Sequence, residues 1–199
     1  MATDYSKTIW DYFVKKLGNE YGTAALMGNL QAESGLCPYR VQGDFSADYT
    51  ESQQYTAAVD TGTISMNDFI HNGPGGGGYG LAQWTFYTRK QALYALWVSG
   101  GYPSIGDINL AMDFLWWELN NSYYNVLAVL MTCKTVREGS DVVLHDFENP
   151  ADQSEAVEIA RAAMGQAWYD KYSGSTPSPS PVKGKKMSLL MMYQATRRR

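Results

Sequence analysis

Histidine and cysteine are scarce in this chain, with two of each among 199 residues, and the scarcity removes whole classes of chemistry. Cys37 and Cys133 permit at most one disulfide, so no disulfide framework is expected. His71 and His145 lie far apart without His-x-x-x-His spacing, which argues against a zinc amidase or endopeptidase; no metal and no cofactor are assigned. A cysteine peptidase built on Cys37 is disfavoured as well. Cys37 follows the C-terminus of an expected helix, whose negative end opposes a thiolate. No basic segment followed by an apolar run opens the chain, since residues 1–16 are polar and read as a helix, so no signal peptide is expected. Nor does any apolar run approach the roughly 20 residues of a membrane span.

Positive charge is short in the body and concentrated at the end. Residues 174–199 hold six of the sixteen basic side chains and no acid, leaving ten basic against twenty acidic side chains before them. A body of net charge −10 is a poor binder of nucleic acid, and none is expected as partner. The basic tail, +6, suits a polyanion of any kind.

What remains is a chain with 45% hydrophobic and 14% aromatic residues, enough for one folded domain over residues 1–173 acting as a monomer. Residues 174–182, rich in Ser and Pro, read as a linker, and 183–199 as a basic tail that is native sequence, a truncated module or a remnant. Apolar residues at helical spacing predict helices over 5–17, 88–99, 107–119, 122–131, 135–147 and 152–172, with a short one over 65–72. In the last of these, Val157, Ala160, Met164 and Trp168 form the expected packing face. Asp60-Thr61-Gly62-Thr63 reads as a turn within a small irregular β-hairpin. The fold class is therefore mainly α, an α+β arrangement with that hairpin beside the active site.

The chain is organised around Gly28-Asn29-Leu30-Gln31-Ala32-Glu33-Ser34-Gly35. From Thr23, read as the N-cap, a three-turn helix runs to Gly35, read as a left-handed C-cap. At about 100° per residue, Leu26, Leu30 and Glu33 share one stripe, which places Glu33 on an apolar margin. Desolvation there opposes ionisation, and a protonated Glu can serve as a general acid. For an isolated Glu, periodicity favours the plainer reading, a helix-end residue that simply turns to solvent.

After a glycine run, Gly78-Tyr79-Gly80-Leu81-Ala82-Gln83-Trp84-Thr85 joins the first segment. The pair resembles the lysozyme-like superfamily, where goose-type lysozymes and lytic transglycosylases follow a helix-borne Glu-Ser with a Gly-Leu-x-Gln segment lining the sugar cleft. With Arg89-Lys90-Gln91-Ala92-Leu93 and Pro150-Ala151-Asp152-Gln153-Ser154, residues 5–173 look like the phage tail lysozyme family. The resemblance implies a lysozyme-like fold and a phage-encoded enzyme acting on the bacterial cell wall. It implies cleavage of the β-1,4 bond between N-acetylmuramic acid and N-acetylglucosamine, with Glu33 as general acid. Gln31, Ser34, Tyr79, Gly80, Gln83 and Trp84 are then the sugar-contacting candidates, and Gly78 and Gly80 would let backbone approach substrate. The second carboxylate is sought among Asp44, Asp48, Glu51 and Asp60, and Asp60 is preferred for its turn. Tyr169 and Tyr172 are weighed as hydroxyl partners of Glu33, beside their reading as helix-surface residues. Two alternatives stand: a lytic transglycosylase giving 1,6-anhydro ends, and a non-catalytic glycan-binding tail module. A catalytic domain ahead of a basic tail fits a free endolysin somewhat better than a tail component.

Overall fold

The computed structural model describes residues 3–73 and 77–174. The expected linker and tail thus lie outside the described residues, apart from Gly174. The helices are α1 (Ser6–Leu17), α2 (Glu20–Ser34), α3 (Thr50–Asp60), α4 (Met66–His71), α5 (Tyr87–Gly100), α6 (Ile108–Asn121), α7 (Tyr124–Thr132), α8 (Val136–Val142) and α9 (Glu155–Tyr172). A π-helical segment, Val143–Glu148, continues directly from α8. The chain divides into two compact units. One contains Cys37–Phe114; the other contains Asp4–Leu36 and the described part of Leu115–Pro181.

In the second unit α2 is the central element, packed against α1, α7, α8 and α9. Gly22 through Leu30 are buried without a break. A helix buried on every side carries no amphipathic stripe, and the alternation of Leu with Ala, Gly and Asn reflects helices closing around it. Its start is one turn earlier than expected. Asn19, not Thr23, is the N-cap and accepts the N–H of Tyr21, while the Thr23 hydroxyl donates back to the Asn19 carbonyl at 2.8 Å. Gly35 closes the helix in the left-handed conformation at φ 65°, as the sequence predicts.

Close approach of α2 and α9 is possible because Gly28 and Gly165 meet there. A Cβ on Gly28 would lie 2.5 Å from the Arg161 carbonyl oxygen and from the Gly165 nitrogen. The buried residues of α9 are Arg161, Gly165 and Tyr172. This corrects the expected face of Val157, Ala160, Met164 and Trp168: Ala160 is exposed, and the other three are only part-buried. Glycine, not the larger apolar residues, marks the contact.

In the first unit the hairpin is absent; that expectation is overturned. Residues 50–60 form α3, whose inward positions are Ser52, Thr56 and Val59. These have helical spacing, but two of the three are polar, so no hydrophobic period announces the helix. The turn at Asp60-Thr61-Gly62-Thr63 exists as the end of α3, with the Gly62 N–H donating to the Val59 carbonyl at φ 76°. The β-pairing among the described residues consists of isolated bridges, Val41 with Tyr79 and Tyr79 with Trp84. Helix α4 packs on α5, and Val59, Phe69, Leu81, Leu93, Leu110 and Phe114 belong to this unit's core.

Candidate functional site

Glu33 sits in the last turn of α2, with its side chain 20% exposed. The margin expected to be apolar supplies a charged partner instead. The Arg161 Nη2, on α9, donates to Glu33 Oε1 at 2.6 Å. Arg161 itself is 9% exposed, and its Nη1 donates to Asn29 Oδ1 at 3.2 Å. Asn29 lies one turn before Glu33 on the same face of α2. Its amide nitrogen donates to the Ser140 hydroxyl at 3.1 Å and to the Ala25 carbonyl at 3.1 Å. Ser140 belongs to α8. Three helices thus contribute to one chain of polar contacts ending on the carboxylate, and every buried member has partners, as burial of polar groups requires. Glu33 Oε2 has no hydrogen-bond partner among the described side chains.

The neighbours of Glu33 on α2 divide. Ser34 is buried, and its hydroxyl donates to the Leu30 carbonyl at 3.1 Å, a local back-bond within the helix. Gln31 is part-buried and accepts the indole N–H of Trp168 at 2.7 Å. Together they line an open groove of about 540 Å³ with Ala160, Met164, Ala167 and Lys171. The expected packing face of α9 is therefore largely the wall of this groove. Neither late tyrosine supplies the partner of Glu33. The Tyr172 hydroxyl lies 2.8 Å from Ser6 Oγ, and Tyr169 stacks on Tyr21 with ring centroids 4.6 Å apart.

A second polar cluster on the same unit involves the family-like segment Pro150 to Ser154. His145, on the π-helical segment, is bonded through Nδ1 to Gln153 Oε1 and through Nε2 to Glu158 Oε1, both at 2.8 Å. Arg137 also reaches Glu158. The hydrogen bond to Gln153, then that to Glu158, raises the His145 pKa above its ordinary value. Gln153 is thereby a brace between the π-helical segment and the start of α9.

In the other unit the structure gathers the residues of the second segment. Tyr79 and Trp84 are 2% and 0% exposed, so their rings form core and present no face to a sugar. The Tyr79 hydroxyl lies 2.8 Å from Thr56 Oγ1, and Trp84 meets Phe114 edge to face. Gly80 is required by packing at φ 77°, because a Cβ there would lie 2.9 Å from the Trp84 ring and 3.1 Å from the Pro38 carbonyl. A Cβ on Gly78 would likewise meet the side-chain oxygens of Gln83 and Gln42. Internal packing, then, accounts for both glycines. Gln83 adopts the left-handed region at φ 43°, uncommon for a residue with a Cβ, and its amide nitrogen donates to the Arg40 and Gly80 carbonyls at 3.0 and 3.1 Å. A strained residue held by its own side chain is a feature of functional loops.

The four acids considered as the second carboxylate differ sharply. Asp60 Oδ1 accepts the Ile105 N–H at 2.8 Å. Asp44 is buried and accepts four bonds, from the N–H and hydroxyl of both Ser46 and Ser52. Burial would raise its carboxyl pKa, but those four donors hold it well below the usual carboxylate range. Asp48 takes the Thr50 hydroxyl at 2.6 Å, and Glu51 is exposed in the first turn of α3. Cys37 and Cys133 are buried free thiols, and desolvation pushes Cys37 up to about 11, which makes it a poor nucleophile.

Sequence reasoning missed Asn29 and Arg161. The available signal was an Asn within an otherwise apolar and small-residue run, one helical turn from the acid; nothing in the sequence pointed to Arg161.

No curated protein and no solved structure matches the chain. The family model described as phage tail lysozyme matches residues 4–172. On that match the chain belongs to the phage tail lysozyme family, and with it to phage-encoded proteins of lysozyme-like function directed at the peptidoglycan of the bacterial cell wall.

Proposed function

We propose that the protein is a muramidase cleaving the β-1,4 bond between N-acetylmuramic acid and N-acetylglucosamine, with Glu33 as general acid. The observation that carries this reading is the carboxyl group of Glu33: part-exposed, held at Oε1 by Arg161 and, among the described residues, without a hydrogen-bond partner at Oε2. In its acid form Oε1 is the carbonyl oxygen and Oε2 bears the proton. Transfer of that proton to the glycosidic oxygen lets the C1–O bond break as oxocarbenium character grows on the muramic acid ring. Water then adds to C1 and loses a proton, giving a reducing end. Asp60 is our candidate for the carboxylate that accepts that proton or stabilises the cation. Gln31, lining the groove, and the loop Gly80 to Gln83 are the proposed sugar contacts. The tail, residues 183–199, is proposed to hold the enzyme near anionic wall polymers, which deletion of residues 175–199 tests through binding to walls at low and high salt.

A lytic transglycosylase, in which Glu33 acts without a second carboxylate, is the second reading, favoured by the bond that Asp60 Oδ1 accepts from the Ile105 N–H, which gives Asp60 a structural role of its own. In that case the muramic acid C6 hydroxyl attacks C1, its proton returns to Glu33, and a 1,6-anhydro end results. Mass spectrometry of digested peptidoglycan separates the readings. Reducing-end N-acetylmuramic acid supports hydrolysis, and anhydro ends support the transglycosylase. Absence of cleavage makes the protein a glycan-binding module. Glu33→Gln keeps the shape and removes the proton; activity within about tenfold of the parent would refute acid catalysis by Glu33, since such catalysis is worth about 10²–10⁴-fold.

A further inference from the structure

The chain of contacts behind Glu33 asks for a purpose, because it is expensive to keep. Arg161 places a guanidinium at 9% exposure against α2, and Asn29 is fully buried beside it. A charged side chain drawn out of water against a carboxyl group roughly breaks even against well-packed apolar side chains, so net stability is a weak reason for this part-buried contact. Its geometric effect is definite. A guanidinium presents donors in a fixed planar fork, and here two prongs are committed, Nη2 to Glu33 Oε1 and Nη1 to Asn29 Oδ1. Asn29 cannot rotate to release its prong without losing the bonds its amide nitrogen donates to Ser140 Oγ and to the Ala25 carbonyl. The backbone beneath is equally constrained, since at the α2–α9 crossing there is no room for a Cβ between Gly28 and the carbonyl of Arg161 itself.

We propose that Arg161 is a positioning residue for Glu33: it binds Oε1, thereby confines the transferable proton to Oε2, and is itself fixed by Asn29 and Ser140. The proposal rests on Glu33 being the general acid. Arg161 touches no reacting atom. Without it the carboxyl is free to rotate about its last torsion, and the proton is divided between two oxygens, one of which points away from the leaving group. Geometric misplacement of this kind affects turnover more than substrate binding.

The test is steady-state kinetics on soluble peptidoglycan glycan chains with Arg161→Gln, Arg161→Lys and Asn29→Ala, beside Glu33→Gln. Circular dichroism and Tm establish folding. Arg161→Gln is expected to lower kcat about 10–100-fold with KM within threefold of the parent. Arg161→Lys, which reaches Glu33 with one donor but cannot hold Asn29 at the same time, should recover part of that loss. Asn29→Ala should lower kcat about threefold to tenfold with KM unchanged. A folded Arg161→Gln protein whose kcat stays within threefold of the parent, or whose loss falls mainly on KM, overturns the proposal. Should Arg161→Gln fail to fold, Asn29→Ala decides, and an unchanged kcat there overturns it. Failure of the underlying reading looks different: Glu33→Gln would then remain active.

Discussion

Asp44 and Glu33 are both carboxylates withdrawn from bulk water, one in each unit, and they are satisfied in opposite ways. Asp44 is enclosed by four neutral donors from Ser46 and Ser52, all within eight positions of it in the chain. Glu33 receives one charged donor at one oxygen, from a residue 128 positions away, and its other oxygen has no hydrogen-bond partner among the described residues. A carboxylate whose lone pairs are all occupied has nothing left to offer a substrate; its role is to fix the loop before α3. One that is half engaged is oriented and still able to exchange a proton. On the proposed mechanism, completeness of hydrogen bonding, more than burial, separates Asp44 as a structural acid from Glu33 as the proton donor.

The contrast is broken or sharpened most strongly by exchanging each acid for its amide. Glu33→Gln should lower activity at least 100-fold while Tm shifts little, since a neutral amide can still accept the Arg161 bond. Asp44→Asn should do the reverse. Its amide nitrogen would face two of the four donors, costing about 3 kcal/mol in denaturant unfolding, with activity per folded molecule preserved. A catalytic defect in a stably folded Asp44→Asn protein would end the distinction drawn here. The same acid sets a pH signature. Because the folded-state pKa of Asp44 is depressed, its stabilising contribution is complete above the unfolded value, near 4, and is lost as pH falls below that toward the folded one. The parent's Tm should therefore fall more steeply than that of Asp44→Asn between about pH 4 and pH 2.

Gly28→Ala probes the long-range side of the comparison. A methyl group there meets backbone of α9, which cannot yield as a side chain would, so α2 and α9 must separate at a cost of about 2–3 kcal/mol. Activity should fall together with stability because Arg161 moves with α9. An equivalent strain placed in the other unit should leave the Glu33 pair intact. The smallest effect concerns His145, a residue paired at both ring nitrogens and part-exposed. Its raised pKa means that it stabilises the fold below the unfolded value near 6.5 and that this contribution is lost as pH rises through the folded value. Proton NMR should show His145 titrating above 6.5, and Gln153→Ala should bring the midpoint down, since the Gln153 hydrogen bond contributes most to the shift.

Much of the helical framework was legible wherever apolar residues kept helical period or glycine closed a helix. Residues 6–17 and 87–100 are helical close to the expected bounds, and Gly35 does adopt the left-handed conformation. Helix α3 was hidden because Ser52 and Thr56 face inward, serving Asp44 and Tyr79 through hydrogen bonds that no hydrophobic pattern records. The family-like segments located Glu33 and the loop Tyr79 to Trp84. They did not distinguish a ring that meets sugar from one that fills a core, because Tyr and Trp have the composition for both.

The sequence by itself determined the helical class, the closing glycines, the lysozyme-type segments and the position of one acid near a helix end. These depend on local propensities and on residues close together in the chain. Only the tertiary structure decided what that acid is bonded to. Arg161 reaches Glu33 because two glycines, far apart in sequence, let α2 and α9 approach until backbone meets backbone, and that coincidence has no local signature.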